Sequence, residues 1–300
     1  MEKYTRKRKM KKKILFIFDM PPEHEVGWFD GLWASLQLLK EDCELTTVNI
    51  SRSLDSQYKE GFHYGNSRYS KMDDFIIQCG FSFDVVICWS SPTSNLVRLL
   101  LLLESKAKLV LCFGGGPINH SLLHKFDLVF VEEDWTLSQM RALGINAQLA
   151  FGTNTQIFKP MNLNKRWNVI YPAAFALWKN HKEFTRIVKE AQLLPTLVVG
   201  YMQPNDHEKE CYQVCIDNSI DVLPHVSSNV LAYLYNMSRK VIVTADIMGG
   251  GQRTILEALS CGIEVEQKYL NERLLSVINR GLLTEIDYYN SIKKYIWQTL

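Results

Sequence analysis

Short, continuous apolar runs recur along the chain, and the stretches between them carry apolar residues at helical spacing. Ile14–Phe18, Leu45–Ile50, Asp84–Trp89, Lys108–Phe113 and Asp127–Val131 read as strands. Helices are predicted between them at about 28–40, 95–104, 120–125 and 136–143. Strands that are apolar at every position are buried on both faces, and alternation with helices is the signature of a parallel sheet covered on both sides. A second series follows the Phe158–Asn164 stretch. Its strands are Trp167–Tyr171, Thr196–Gly200, Asp221–Leu223 and Lys240–Thr244, and its helices fall at about 181–194, 207–217 and 228–236. Residues 270–300 read as two helices separated by Gly281. The predicted fold is α/β, with two doubly wound, Rossmann-like domains facing each other across a cleft. Open sheets of this kind bind ligands beyond the carboxyl ends of their strands, and junctions between such units favour small-molecule sites.

Composition adds limits. With 300 residues, 47% hydrophobic and 22% charged, the chain is long enough for about two cores. The net charge of +2 conceals an asymmetry. Residues 1–13 hold eight Lys or Arg and one Glu, leaving 26 basic and 31 acidic side chains in the remainder. The body is therefore mildly acidic and carries a basic arm at 1–13. The arm is a solvated tail, a contact for nucleic acid, or a weak contact for an anionic membrane through residues 3–13. No nucleic-acid partner is expected of the chain as a whole. Ile14–Phe18 is too short for the core of a secretion signal, and Leu96–Leu103, interrupted by Arg98, falls short of a membrane span. Seven cysteines, an odd number, sit mostly in apolar runs without zinc-binding spacing. A cytoplasmic setting with reduced thiols, possible at the membrane periphery, is the expectation.

The densest chemistry lies at Met248–Thr254 (MGGGQRT), between the strand at Lys240–Thr244 and a helix ending at Gly262. A glycine turn opening a helix lets backbone N–H groups approach a phosphate, where the helix dipole adds roughly half a positive charge. Arg253 offers a fixed fork of donors, and Glu257 stands one helical turn further on. Lys179 precedes another helix, where the dipole disfavours a cation unless an anion is bound. Gly27, Trp28 and Gly31 follow the first strand, either as a loop facing a diphosphate or as an ordinary helix start. Gly114–Pro117 leads to His120, which would touch substrate or merely start a helix. Glu132, Glu133 and Asp134 read mainly as a helix cap, with acceptor contact as the alternative.

The order of these segments resembles the donor-binding half of retaining glycosyltransferases of the GT-B fold, particularly the large family 4 group. Ile255–Val265 (ILEALSCGIEV) resembles that family's Leu-Glu-Ala helix, and Val230–Asn236 its preceding helix. Phe151–Pro160 (FGTNTQIFKP) resembles its domain junction, and Trp178–Phe184 (WKNHKEF) a segment after its first C-terminal strand. The likeness covers most of residues 150–265. It implies a sugar transfer from a nucleotide-diphosphate sugar to a hydroxyl acceptor, with retention of configuration. It also implies an acceptor-side domain at 14–160, a donor domain at 161–283, and a last helix at 284–300 crossing back to the first domain. Donor contacts would come from Gly27, Trp28, Lys179, Gly249, Gly250, Gly251, Gln252, Arg253, Thr254 and Glu257. Catalytic candidates are His120, Lys179 and Arg253. No cofactor beyond the sugar nucleotide is implied; these donors need no metal, and no Asp-x-Asp pair argues for one. His181 and Lys182 are read as helix surface.

Two departures stand out. Gly249 occupies the position, eight before Glu257, where the family usually carries an acid, and Asp246 is a substitute candidate. Pro172–Ala174 replaces the family's Gly-Arg pair, whose charge Arg253 would supply. The rival readings are a non-catalytic nucleotide-sugar binder and a sugar-nucleotide epimerase of the same fold. A dehydrogenase is disfavoured, because no G-x-G-x-x-G follows the first strand.

Overall fold

A computed structural model describes residues 11–18, 30–51, 61–64, 67–69, 83–94, 97, 100, 107–202, 205–268 and 271–298. The expected contacts of Gly27 and Trp28, most of the predicted helix at 95–104 and residues 1–10 of the basic arm lie outside them.

The first sheet has eight strands, β1 (Lys12–Phe18), β2 (Cys43–Ser51), β3 (Gly61–Tyr64), β4 (Ser67–Tyr69), β5 (Val85–Ser90), β6 (Lys108–Phe113), β7 (Leu128–Val131) and β8 (Ala147–Leu149), in the order β4-β3-β2-β1-β5-β6-β7-β8. All neighbours are parallel except β2–β3 and β3–β4. Burial of both faces explains the unbroken apolar run of β1. Ile14, Phe16 and Phe18 join one core, and Leu15 and Ile17 join the core on the opposite face. Two helices follow the same logic, α1 (Asp30–Leu39) between β1 and β2 and α2 (Asp134–Ala142) between β7 and β8. Residues 121–125 form a short 3-10 turn rather than the predicted α-helix.

The second sheet is wholly parallel, with β9 (Trp167–Pro172), β10 (Thr196–Gly200), β11 (Asp221–Pro224), β12 (Ser238–Val243) and β13 (Glu264–Gln267) in the order β11-β10-β9-β12-β13. Its helices are α3 (His181–Glu190), α4 (Asp206–Asp217), α5 (Ser228–Asn236), α6 (Gln252–Ser260) and α7 (Glu272–Arg280). Two readings of α3 are corrected. It ends at Glu190, four residues before Leu194, whose place ahead of Pro195 disfavours helical backbone. His181 is not on the surface but 1% exposed, between Phe175 and Tyr171. Its buried neighbours Phe184, Thr185 and Val188 recur at helical spacing with it. Lys182 is exposed and pairs with Glu210.

The last helix, α8 (Glu285–Gln298), lies across the first sheet. Tyr289 donates to Asp42 at 2.6 Å, Lys293 pairs with Asp42 at 2.8 Å, and Tyr295 packs on Phe130. Lys12 lies over the Trp297 ring and Lys11 bonds the Glu41 carbonyl. Residues 11–13, assigned by sequence to the basic arm, are thus part of the folded body. Asn236 anchors the stretch between the sheets: its amide donates to Lys159 O and accepts from Met161 N. The six described cysteines are free and buried.

Candidate functional site

A cleft of about 510 Å³ separates the two sheets. Its walls are the carboxyl ends of the strands. The first sheet contributes Trp89 from β5, Gly114 after β6 and Glu132 after β7. The second contributes Pro172–Ala174 at β9, Gly200 and Tyr201 at β10, and His225 and Val226 after β11. Gly251–Thr254 and Glu257, which open α6, complete the lining with Lys179. One of these strand ends requires glycine for space, and a second is tight. A Cβ on Gly200 would stand 2.0 Å from Ala173 O, and one on Gly114 3.1 Å from the Trp89 ring.

One end of the cleft is cationic. Lys179 closes a 3-10 turn after β9, and its carbonyl accepts bonds from Tyr171 Oη at 2.7 Å and Thr244 Oγ1 at 3.0 Å. The backbone is thereby fixed. Burial, with repulsion from Arg253 and then Arg273, brings its ammonium down to about 8, while Asp246 opposes the shift. No described carboxylate is salt-bridged to it. Gly250 and Gly251 have φ of 57° and 131°, conformations that favour glycine. They turn the chain from β12 into α6, whose first turn carries no side-chain cap and no acidic residue. Gln252 is 4% exposed; its Oε1 accepts the Gly251 N–H at 2.9 Å, while Nε2 has no partner. An uncapped helix start, an unused buried amide donor and two cations make this end of the cleft chemically suited to an anion.

Glu257 lies one turn deeper and is 2% exposed. Arg253 Nε stands 2.9 Å from its Oε1, and Tyr235 donates to its Oε2 at 2.9 Å. Tyr235 Oη also approaches Thr254 O at 3.3 Å, which ties α5 to the first turn of α6. These two donors fix the orientation of the carboxylate at the first turn of α6.

Other sequence candidates fall elsewhere. Gly249 and Gly250 do not line the cleft, although a Cβ on Gly250 would come within 4.0 Å of Lys179 Nζ. Gly249 is walled in: a Cβ there would sit 2.4 Å from Trp178 O and 2.8 Å from Ala245 Cβ. This backbone leaves no room for an acid at that position. Asp246 caps its own loop by accepting from Met248 N at 2.9 Å, and is not in the lining. His120 is also outside it; its Nδ1 accepts from Leu122 N at 3.2 Å and caps the 3-10 turn. The structural alternative for that histidine is therefore the one observed.

Two residues near the cleft stand apart from the sequence expectation: Glu132, read mainly as part of a helix cap, and Arg273, which no sequence pattern singles out. Glu132 lines the cleft, whereas only its neighbour Glu133 caps α2, through Thr136 N at 2.7 Å. Arg273, on α7, reaches across to Glu133 at 2.9 Å and donates to Ile247 O. Neither role has a local pattern. Among the described residues, no group of three or more His, Cys, Asp or Glu is placed to hold a metal ion, and no helix is long and apolar enough to cross a membrane.

No protein-family model matches the chain, and no curated protein matches it by sequence. Solved structures do match in fold. Sucrose-phosphate synthase from Thermosynechococcus elongatus superposes with a TM-score of 0.66 at 14% identity, over 96% of this chain and 90% of that one. Anabaena HepE, in complex with UDP and glucose, gives 0.60 at 15% identity over 96% and 89%. AviGT4, a glycosyltransferase involved in avilamycin A biosynthesis, gives 0.59 at 10% identity over 96% and 95%. The chain therefore shares the α/β fold of these proteins along nearly its whole length.

Proposed function

We propose that this chain is a GT-B glycosyltransferase that moves a sugar from a nucleotide-diphosphate donor to a hydroxyl acceptor. The observation that carries the proposal is the convergence of Lys179, Arg253, the uncapped start of α6 and the unpartnered Gln252 amide at the strand ends. Leaving diphosphate accumulates negative charge as the sugar–phosphate bond breaks, and preorganised donors in a partly dry cleft stabilise that charge. Glu257 is oriented to accept hydrogen bonds from the ribose diol. Gly200, Tyr201, His225 and Val226 also line the cleft and offer a wall for a flat base. Under this reading residues 14–160 form the acceptor-side domain, 161–283 the donor domain, and 284–300 the returning helix. Retention of configuration and independence of a metal belong to the same proposal. His120 is given no catalytic role, because its ring is used as a cap.

HepE has been solved with UDP-glucose as well as with UDP and glucose, which makes uridine donors the first probes. Thermal shift across UDP, ADP and GDP sugars, followed by calorimetry and a donor-hydrolysis assay, tests the reading. Binding with slow hydrolysis that is lost in Glu257→Ala supports it; failure of every diphosphate-linked ligand to bind removes it. The confinement of Gly249 favours one rival, a nucleotide-sugar binder without catalysis. Tight binding with no hydrolysis or transfer would select that rival.

A further inference from the structure

The cleft holds a carboxyl group with no structural task. Three consecutive acids follow β7, and two are engaged. Glu133 caps α2 and pairs with Arg273, and Asp134 pairs with Arg280 at 3.2 Å. Glu132 differs. Its backbone is pinned, since Arg280 Nη2 donates to its carbonyl at 2.9 Å. Its carboxyl has no hydrogen bond or ion pair to any described residue, and it faces the cleft. Glu132 is half-buried in the cleft wall, so its open carboxyl can meet a group that enters the cleft.

Five groups set its charge environment. Arg273 of α7 and Arg253 of α6 favour the carboxylate, and Glu133 opposes it. Cys112 of β6 and Tyr288 of α8, which share a hydrogen bond, lie close enough to sense its charge. Burial outweighs the two arginines and pushes Glu132 up to about 7. General bases work best when their affinity for a proton is close to ambient pH.

Resting on the transferase reading above, we propose that Glu132 is the catalytic base that takes the proton from the incoming hydroxyl. In the step, the acceptor O–H proton passes to a Glu132 carboxylate oxygen as the acceptor oxygen bonds to the anomeric carbon on the same face that the phosphate leaves, so that configuration is kept. The bond from that carbon to the phosphate oxygen breaks, and its electron pair leaves with the diphosphate toward Lys179 and Arg253. Glu132 then returns the proton to solvent. The two sheets divide the chemistry: the second holds the leaving group, and the first receives the proton. Gly249 cannot supply a carboxylate to this space, because backbone fills its side-chain position.

Water serves as the acceptor in the test, with UDP-glucose, or the tightest binder of the donor panel, as the probe. Wild-type hydrolysis should rise with pH to a plateau, with its midpoint near 7. Glu132→Gln should bind donor within threefold of wild type, turn over about 10²–10⁴-fold more slowly, and lose that midpoint. In Glu132→Ala, added formate should restore part of the rate, a rescue that a merely structural carboxyl would not show. The proposal is overturned if Glu132→Gln keeps the wild-type rate or midpoint, or loses donor affinity in proportion to rate. Wild-type protein that binds no donor, or binds without turnover, overturns the transferase reading itself. That result is distinct, because it appears before any variant is made.

Discussion

Tyr235 donates its hydroxyl to Glu257 at 2.9 Å, joining two helices that sequence reasoning had linked only through a resemblance. The carboxylate is thereby held from behind by Tyr235, and from the cleft side by Arg253 at 2.9 Å. Tyr235→Phe keeps the ring and removes one donor. Leaving a buried carboxylate oxygen short of a partner costs about 1–3 kcal/mol. Urea unfolding should show that loss, and UDP affinity should fall about tenfold as Glu257 loses its fixed orientation. Unchanged affinity would remove Glu257 from the ribose contact.

Lys179 makes ligand binding depend on pH. Burial and two arginines lower its ammonium to about 8 from its ordinary value of 10.5. The unfolded chain therefore holds this proton more tightly between those values, and stability gains a contribution as pH rises through them. A bound diphosphate acts in the opposite direction by favouring the charged amine. UDP should bind with proton uptake at pH 8–9, and affinity should decline above about 8. Calorimetry in two buffers of different ionisation enthalpy measures the uptake. Lys179→Met should weaken UDP about a hundredfold at pH 7, a difference of about 2.7 kcal/mol, and abolish the uptake assigned to this amine.

Glu132 carries a cost that its proposed role would explain. Burial lifts its carboxyl to about 7 in the folded chain, against an ordinary value of 4.5. Below pH 4.5 both states are protonated and the residue is neutral to stability. Between 4.5 and 7 the unfolded state ionises first, so stability declines as pH rises, and the penalty is complete above 7. Glu132→Gln should therefore be more stable than wild type at pH 8, by an amount on the order of 2 kcal/mol, and no different at pH 4. Denaturant melts at the two pH values decide this. Equal curves at pH 8 would mean that the carboxyl carries no penalty.

The parts of this architecture legible in the sequence are those whose physics is local. Buried parallel strands such as β1 are apolar at every position because both faces are covered. The glycine turn was readable because Gly250 and Gly251 take positive φ just before a helix. The short strands β3, β4 and β8 carry too few residues for a period to show. His181 was misassigned because its polar neighbours suggested surface, although its spacing from Phe184, Thr185 and Val188 marks a buried face. Glu132 was hidden for a different reason. A run of three acids before a helix reads as a cap, and one of them is the cap. Which of the three turns into the cleft is decided by contacts with Arg273 and Arg280, about 140 residues away in the chain.

The junction between the sheets depends on close backbone packing that only glycine permits. A Cβ on Gly31, at the start of α1, would lie 1.9 Å from Gly152 O, and one on Gly152 would lie 2.0 Å from Thr284 O. Thr153 N donates to Leu283 O at 3.0 Å, so the chain entering α8 runs directly against this segment. Gly152 has no positive φ among the glycines that do, so the constraint is space rather than conformation. Gly152→Ala must push α8 from its seat, breaking the registry that sets Tyr289 against Asp42. Overpacking of this kind costs about 3 kcal/mol. Gly144→Ala is the matched control, because a Cβ there meets nothing within 4 Å and only its φ of 74° resists. That variant should lose about 1 kcal/mol. Urea unfolding of the two proteins, with hydrogen exchange on α8, compares them. Equal losses, or an α8 that stays protected in Gly152→Ala, would show that the junction tolerates separation and that this packing does not hold the cleft in shape.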